Sequence, residues 1–163
     1  MKKLSFHLVT NRGSFNVFAP NALRDLPILL NEPVTEEGLC DLFRYHPEIS
    51  FACKKNRMVG IGMSYPCGES TVFLKNVVVL PEFRKRGIAR KIIAMLLISA
   101  RIDGVRHLYT SCDNENEIAK SLYRSVGFTM RPVSPLTEIL FYMNPQGMSA
   151  NKLVAKFLPR HKK

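Results

Sequence analysis

The spacing of apolar and polar positions predicts an alternation of strands and helices along this chain of 163 residues. Residues 4–9 form a short apolar stretch that is typical of an opening strand. The segment 21–33 has helical spacing, and its two prolines are expected to interrupt and end the helix. In residues 35–48, Thr35 fits an N-cap, and the two glutamates after it favour the first turn of a second helix.

The middle of the chain predicts three strands followed by a long helix. Residues 49–65 predict a hairpin, with one strand to about residue 54, a turn at 55–57 and a second strand from residue 58. Residues 66–70 predict another turn. Residues 71–79 are rich in β-branched side chains and predict a long strand. Apolar residues then recur at helical spacing over residues 88–100. The remaining segments predict a strand, a helix and two closing strands at 105–111, 116–126, 128–133 and 138–143.

This order of elements predicts one α/β domain built around a mixed sheet. The chain is long enough for one hydrophobic core and too short for two ordinary domains. We therefore assign residues 1–145 to the domain and residues 146–163 to a basic C-terminal extension, which has the character of a helix or a tail. No apolar run approaches the roughly 20 residues that a membrane-spanning helix requires, so we expect no membrane association.

Charge is distributed unevenly along the chain, whose formal net charge is +11. Residues 1–50 carry five basic and six acidic side chains, whereas residues 51–163 carry nineteen and seven. A basic remainder of this kind suits a phosphate-bearing partner, either a nucleotide or a nucleic acid. The four cysteines are scattered without metal-ligand spacing, and the N-terminus lacks the apolar segment of a secretion signal. We therefore expect no metal site and a cytoplasmic location.

The turn between the long strand and the following helix concentrates positive charge around small side chains. Its residues are Arg84, Lys85, Arg86, Gly87, Ile88, Ala89 and Arg90. A helix start offers unpaired backbone N–H groups and a partial positive charge, and a glycine lets an anion come close. The spacing does not fit a Walker A loop. The turn therefore predicts a pyrophosphate site, with a solvated basic face as the simpler alternative.

Two motifs in this region resemble those of a known family. Residues 84–89 match the pattern (R/Q)-x-x-G-x-(G/A) of the GNAT-type N-acetyltransferase superfamily, and the flanking segment 77–93 is similar to that family's strand, loop and helix. Residues 116–128, NEIAKSLYRSVGF, match the family's N-x-x-A-x-x-L-Y-x-x-x-G-F segment. The resemblance is clear over residues 51–130 and extends, on element order, to residues 4–143.

The resemblance implies a GNAT-like fold, with a mixed, mostly antiparallel sheet of six or seven strands and about four helices. The central strands would be splayed around an acyl-CoA, with acetyl-CoA as the co-substrate. Residues 84–90 would hold its pyrophosphate. The backbone of Val77, Val78 and Val79 would pair with its pantetheine arm, which would lie beside the strand like an added strand. Asn116 would reach the cofactor through its side chain, with an ordinary helix-start residue as the alternative.

The resemblance also implies an N-acetyltransferase that works by direct attack in a ternary complex. Tyr123 would protonate the departing thiolate, although its spacing alone also suits a tyrosine packed in the core. The N–H of Val79 would polarise the thioester carbonyl. Some family members place a Glu or His on the long strand as general base, whereas this strand has Phe73 there, with Lys75 and Asn76 as its polar residues. The sequence therefore names no base.

The acceptor is expected to be an amine on a small molecule, a protein or a peptide. Acidic side chains in the front half give a weak preference for a cationic acceptor; they are Glu36, Glu37, Asp41 and Glu48. Two alternatives stay open. One is a non-catalytic acyl-CoA-binding regulatory module, because the strand lacks a base. The other is nucleic-acid binding through the basic tail, whose cationic residues are Lys152, Lys156, Arg160, Lys162 and Lys163. Either a monomer or a homodimer is compatible with these features.

Overall fold

The computed structural model describes residues 3–131 and 138–147, and over those residues the chain forms seven strands and five α-helices. The strands are β1 (Leu4–Val9), β2 (Glu48–Lys54), β3 (Arg57–Gly68), β4 (Thr71–Val79), β5 (His107–Asp113), β6 (Thr129–Arg131) and β7 (Glu138–Met143). The helices are α1 (Arg12–Phe18), α2 (Ala22–Leu30), α3 (Glu36–Arg44), α4 (Ile88–Ile102) and α5 (Glu117–Val126). Short 3-10 turns at Pro81–Phe83 and Pro145–Gly147 precede α4 and follow β7.

The strands form one open sheet in the order β1-β2-β3-β4-β5-β7-β6. Every neighbouring pair is antiparallel except β4 and β5, which run parallel because α4 carries the chain back between them. This arrangement confirms the expected mixed, mostly antiparallel sheet of six or seven strands.

Helices cover both faces of the sheet. Helix α4 packs on β2, β3 and β4, and Gly60 and Gly62 of β3 face it. Because side chains alternate along a strand, Val59, Ile61 and Met63 point to the opposite face, where α2 packs on β3 and β4. All three of these side chains are buried. The core therefore has two layers, one between the sheet and α4 and one between the sheet and α2.

Helix α1 lies in a segment for which the sequence pattern predicted no element. Asn11 caps it, and the side-chain oxygen of Asn11 accepts a hydrogen bond from the Ser14 N–H at 2.9 Å. Phe15 is fully buried, and its ring packs edge-on against Phe51 with centroids 5.5 Å apart. Phe15 is the one buried residue of the helix and also contacts Phe43, and Arg12 pairs with Glu36, so a cap and tertiary contacts hold α1 rather than an apolar period.

Two sequence expectations about prolines were wrong. Pro27 does not interrupt α2, because the helix loses only one backbone hydrogen bond there while Leu26 and Leu29 anchor it in the core. Residues 66–68 continue β3 instead of turning, and Pro66 pairs with Val72 of β4. The turn that follows β3 lies at residues 69–70, the last two residues of the predicted turn.

The elements around the basic turn lie where the sequence predicted them. β4 has the predicted bounds, α4 runs two residues further than expected, and α5 begins one residue later. The predicted strand 128–133 is present as β6, and its last residues lie outside the described part. Most of the predicted basic extension also lies outside it. No helix among the described residues has the length and apolar character needed to cross a membrane.

The close approach of α4 to the sheet depends on Gly62. A Cβ at this position would lie 2.7 Å from Cγ2 of Ile92, which is a stiff β-branched side chain in the core. We expect Gly62→Ala to lower the free energy of unfolding by about 1–3 kcal/mol, the usual cost of overpacking, as measured by urea unfolding. Gly68→Ala is the matched control, because its nearest contact would be Thr71 Cβ at 3.6 Å. Equal stability of the two variants would contradict this packing.

Candidate active site

Strands β4 and β5 are paired over a short length and then separate. Their pairs are Thr71 with His107, Val72 with Leu108, and Phe73 with Tyr109. Beyond them, β4 continues to Val79 while β5 stays paired with β7 on its other side. The two central strands are therefore splayed, and a cleft opens between them toward the start of α4.

An irregularity in β4 lies beside this cleft. The pairing with β3 shifts by one residue between Ile61 and Met63, which face Val78 and Lys75 respectively. Asn76, within the shifted stretch, has a left-handed backbone with φ 55°. Such a bulge turns the strand and leaves backbone groups unpaired. Val77 and Val78 are half-buried in the absence of a covering strand.

The last residue of β4 directs its backbone N–H and carbonyl toward the cleft. The N–H of Leu80 donates to the carbonyl oxygen of Val59 on β3 at 3.0 Å. Because backbone groups alternate in direction along a strand, the N–H and carbonyl of Val79 point away from β3. The Val79 carbonyl oxygen accepts a hydrogen bond from Nε of Arg84 at 3.0 Å. The Arg84 side chain thus ties the end of the strand to the loop that follows.

The loop before α4 presents a helix start to open space. Gly87 is the N-cap with φ 75°, and a Cβ built there would meet no atom within 4 Å. The first helical hydrogen bond runs from Lys91 N–H to the Gly87 carbonyl at 3.0 Å. The N–H groups of Ile88, Ala89 and Arg90 therefore precede the helical ladder and are oriented as an anion site requires. The Ile88 side chain itself is buried, so Ile88 could contribute only its backbone.

The basic side chains of the loop differ in what they contact. Arg84, Lys85, Arg86 and Arg90 are exposed. Arg86 donates to the Glu82 carbonyl at 3.0 Å, and its guanidinium lies 5.5 Å from the centre of the Phe83 ring. Lys85 has a left-handed backbone with φ 59°. The predicted basic residues therefore do surround the helix start, and two of them also stabilise the loop.

Asn116 lies directly before α5 and has a structural role there. Its side-chain oxygen accepts a hydrogen bond from the Ala119 N–H at 3.0 Å, which makes it the helix N-cap. The residue is exposed. The amide nitrogen of the same side chain is the part that could reach a bound molecule, so its cofactor-binding role stays a prediction.

Tyr123 lies in the core with its phenol directed toward β5. Its ring packs against Phe128 and Phe141, with centroid distances of 5.7 and 5.2 Å. Burial raises the pKa of the Tyr123 phenol, an effect that a hydrogen bond with Thr110 opposes and the nearby Cys112 reinforces. Thr110 itself is buried and belongs to the part of β5 that has left β4. Both sequence interpretations of Tyr123 are therefore compatible with its place: it packs in the core, and its hydroxyl is held beside the splayed strand.

The Thr110 contact was not foreseen from the sequence. Thr110 occupies an alternating position in a strand of ordinary composition, and nothing in its neighbours singles it out. The burial of Thr110 in the structure is what indicates the contact, because a buried hydroxyl requires a hydrogen-bond partner. That partner comes from a helix more than ten residues away in sequence, so only the fold reveals it.

The predicted acidic residues do not gather at the cleft. Glu36 is paired with Arg12, and Asp41 with Arg44 at 2.9 Å. Glu48 accepts a hydrogen bond from Ser99 of α4 at 2.7 Å, on the sheet face that α4 covers. Burial is the main cause of the raised pKa of Glu48, and the neighbouring Asp103 adds to it. None of these contacts involves the cleft.

A second basic cleft of about 400 Å³ lies beside the loop, at the turn between β2 and β3. Its lining residues are Asn21, Arg24, Lys54, Lys55, Asn56, Arg57 and Phe83. Two of its cations are paired, Arg24 with Asp25 at 2.8 Å and Arg57 with Glu82 at 3.3 Å. The Phe83 ring links this cleft to the basic loop, since Lys54 lies 5.4 Å from its centre.

The chain matches a known protein family. A model of the acetyltransferase (GNAT) family matches residues 19–128, which is about two thirds of the chain. The chain belongs to the GNAT acetyltransferase family. The match contains both motifs that carried the resemblance in the sequence, and it extends toward the N-terminus over α2 and α3, beyond the segment 51–130 where the resemblance is clear.

Curated GNAT relatives share parts of the chain. It is 35% identical over 57 residues to aminoglycoside N(6′)-acetyltransferase type 1 of Salmonella typhimurium, covering 35% of this chain and 39% of that protein. It is 30% identical over 86 residues to the [ribosomal protein bS18]-alanine N-acetyltransferase of Haemophilus ducreyi, covering 53% and 55% respectively. The matched part thus spans about half or less of each relative's length.

Solved GNAT structures share the whole fold. The ribosomal-protein-S18-alanine N-acetyltransferase of Escherichia coli aligns with a TM-score of 0.67 at 17% identity, over 90% of this chain and 98% of that one. A GNAT acetyltransferase of Elizabethkingia anophelis, solved with acetyl-CoA bound, aligns with a TM-score of 0.64 at 19% identity, over 88% and 99%. At these identities the likeness establishes the fold.

The buried Tyr123 phenol predicts how stability responds to alkaline pH. In the unfolded chain a phenol loses its proton near pH 10, whereas the raised pKa of Tyr123 keeps its proton on in the folded state. The free energy of unfolding should therefore fall as pH rises above about 10. We expect a shallower fall for Tyr123→Phe in urea unfolding between about pH 9 and 11. Tyr45→Phe is the control, because Tyr45 is 70% exposed; identical slopes for Tyr123→Phe and the native chain would contradict the burial argument.

Proposed function

We propose that this GNAT chain transfers an acetyl group from acetyl-CoA to a primary amine by direct attack in a ternary complex. The observation that carries the proposal is the cleft between β4 and β5, which leads from Tyr123 and Thr110 to the open helix start at Gly87. An acyl-CoA lying in this cleft would meet a strand edge, a helix start suited to an anion and a phenol, which supports the proposal.

The residues present fit an acyl-CoA molecule. Beyond Phe73, the β4 edge is not covered by β5, so its backbone can pair with the two amides of a pantetheine arm as with an added strand. The free N–H groups of Ile88, Ala89 and Arg90 suit a pyrophosphate, and the exposed arginines add charge at the same point. The positive φ of Gly87 keeps this approach free of a side chain.

In the proposed reaction, acetyl-CoA supplies a thioester carbonyl to the amine. The amine lone pair forms the new C–N bond as the C–S bond breaks, and the proton lost by nitrogen balances the proton gained by sulfur. The Val79 N–H, which points into the cleft, would stabilise the negative charge that develops on the carbonyl oxygen.

Tyr123 would act on the departing sulfur. The raised pKa of Tyr123 keeps its phenol protonated at neutral pH, and the Thr110 hydrogen bond fixes the direction of its hydroxyl. Because a thiol ionises near 8.5 and a phenol near 10, the phenol stabilises the thiolate chiefly as a hydrogen-bond donor during bond cleavage. Removal of the amine proton is left to water or to the free-base fraction of the acceptor.

Binding of acetyl-CoA can be tested by thermal unfolding. At a concentration of about 100 Kd, the ligand should stabilise the fold by about 2.7 kcal/mol, which corresponds to a rise of roughly 5–10 °C in Tm. Arg86→Glu and Gly87→Glu should abolish the rise, because each places a carboxylate at the anion site. Arg106→Glu is the control, since Arg106 is an exposed residue just before β5, away from the loop. A native chain with no rise at saturating acetyl-CoA would refute the proposal.

Turnover can be tested by release of the CoA thiol with a panel of amines. Tyr123→Phe should lower kcat by about 10- to 100-fold, the scale of one hydrogen bond to a charged group, while the Kd of acetyl-CoA stays nearly unchanged. Phe at this position preserves the ring contacts with Phe128 and Phe141.

A different result would favour the non-catalytic alternative. The absence of a Glu or His on β4 is the observation that keeps this alternative, because β4 offers no base to the amine. A regulatory acyl-CoA-binding module would show the thermal shift without thiol release for any amine in the panel. In that case Tyr123→Phe would change neither measurement.

A further inference from the structure

Four aromatic side chains cross the sheet in a single register. Tyr65 of β3 pairs with Phe73 of β4, Phe73 with Tyr109 of β5, and Tyr109 with Tyr142 of β7. Directly paired residues point to the same face of a sheet, so the four rings form one continuous line, which we call the aromatic row. The ring centroids of Tyr109 and Tyr142 are 5.2 Å apart.

The aromatic row faces away from α4 and α5. The residues that alternate with it, Leu74, Thr110 and Phe141, are buried on the opposite face. All four residues of the row are instead half-exposed. Aromatic side chains usually dominate a core, so four partly buried rings in a line on one face of the described sheet suggest a contact surface.

The row lies at the closed end of the proposed acetyl-CoA cleft. Phe73 and Tyr109 form the last pair before β4 and β5 separate, and Phe73 occupies the position where some GNAT members carry a base. Thr110, the neighbour of Tyr109, contacts the Tyr123 phenol on the other face. The row and Tyr123 therefore stand at the same level of β5 on opposite faces. A molecule resting on the row would reach the gap between the strands from the side opposite Tyr123.

The charges around the row do not suit a polycation. The Arg131 guanidinium already lies 5.5 Å from the centre of the Tyr142 ring. Lys75, the next residue of β4 on the same face, is exposed. The Glu32 carboxylate is near enough to Tyr65 to add to the effect of burial in raising the pKa of Tyr65. The cations Arg131 and Lys75 beside the other rings favour a ligand held by ring contacts.

We propose that the aromatic row is the acceptor surface and that it selects an amine attached through a short aliphatic chain to a flat aromatic group. The proposal rests on the proposed acetyl transfer and specifies its substrate class. The aromatic group stacks on Tyr109 and Tyr142, and the chain carries the amine past Phe73 into the gap. Polyamines and aminoglycosides, which are polycations without an aromatic face, are disfavoured by Arg131 and Lys75.

Binding is tested on the full chain with tryptamine as the probe, with and without saturating CoA. The protein contains no tryptophan, so the indole fluorescence of the probe reports binding directly. Tyr109→Leu and Tyr142→Leu should each raise the Kd of tryptamine by about 3- to 10-fold, the scale of one aromatic contact. Tyr45→Leu, which changes an exposed tyrosine outside the row, should leave the Kd unchanged.

Turnover gives a second readout of the same surface. The value of kcat/KM should be at least about 5-fold higher for 2-phenylethylamine than for 2-cyclohexylethylamine, which has the same chain and a similar size but no aromatic face. The kcat/KM for 2-phenylethylamine should also exceed the kcat/KM for spermidine. The two row variants should reduce the preference for the phenyl compound, mainly through KM.

The outcomes distinguish failure of the aromatic-row proposal from failure of the proposed acetyl transfer. If acetyl-CoA raises Tm but tryptamine fails to bind, or binds the row variants as well as the native chain, the row is not the acceptor surface. Tighter binding of spermidine than of tryptamine overturns it too. If acetyl-CoA produces no thermal shift, acetyl transfer is refuted. The Kd of tryptamine for the ligand-free chain and its row variants still measures whether the row binds an aromatic amine.

Discussion

The separation of β4 from β5 after Phe73 and Tyr109 is the constraint on which the rest of the site depends. Backbone N–H and carbonyl groups need partners, so two central strands of a sheet do not part without a reason. Here β5 keeps its pairing with β7, while β4 keeps its pairing with β3 and bends at the bulge near Asn76. The separation leaves the facing edges of both strands to solvent or a ligand.

The separation organises both faces of the sheet. On one face, α4 begins at the open end of the cleft and α5 brings Tyr123 to the part of β5 that is no longer paired with β4. On the other face, the aromatic row marks the level at which the strands part. In the proposed reaction, acetyl-CoA and the amine would approach one gap from opposite sides, as direct transfer between two bound molecules requires.

The features of the site that are local in sequence were predictable. The bounds of β4, the loop and α4 follow from an apolar run, a basic turn with Gly87, and an apolar helical period. Asn116 and Tyr123 could be placed on a helix for the same reason. In each case the residues that define the feature are adjacent along the chain, so propensity and spacing act together.

The features that depend on register were not predictable. The aromatic row requires the pairing of four strands, and a shift of one residue would send a ring to the other face. The contact of Thr110 with Tyr123 requires α5 to dock on β5. Helix α1 was missed because its apolar period is weak and it is held by a cap and by contacts with residues distant in sequence. Tertiary contacts decide all three, and the sequence pattern carries no direct signal of them.

The most direct test of the central claim is backbone hydrogen exchange with and without acetyl-CoA, resolved to single amides. Our account predicts that protection increases at residues 77–79 and at residues 87–90, which are the strand edge and the helix start. Residues 54–57, in the neighbouring basic cleft, should be unaffected. Protection confined to residues 54–57, with no change at 77–79 and 87–90, would show that the anion binds outside the splayed strands and would contradict the account.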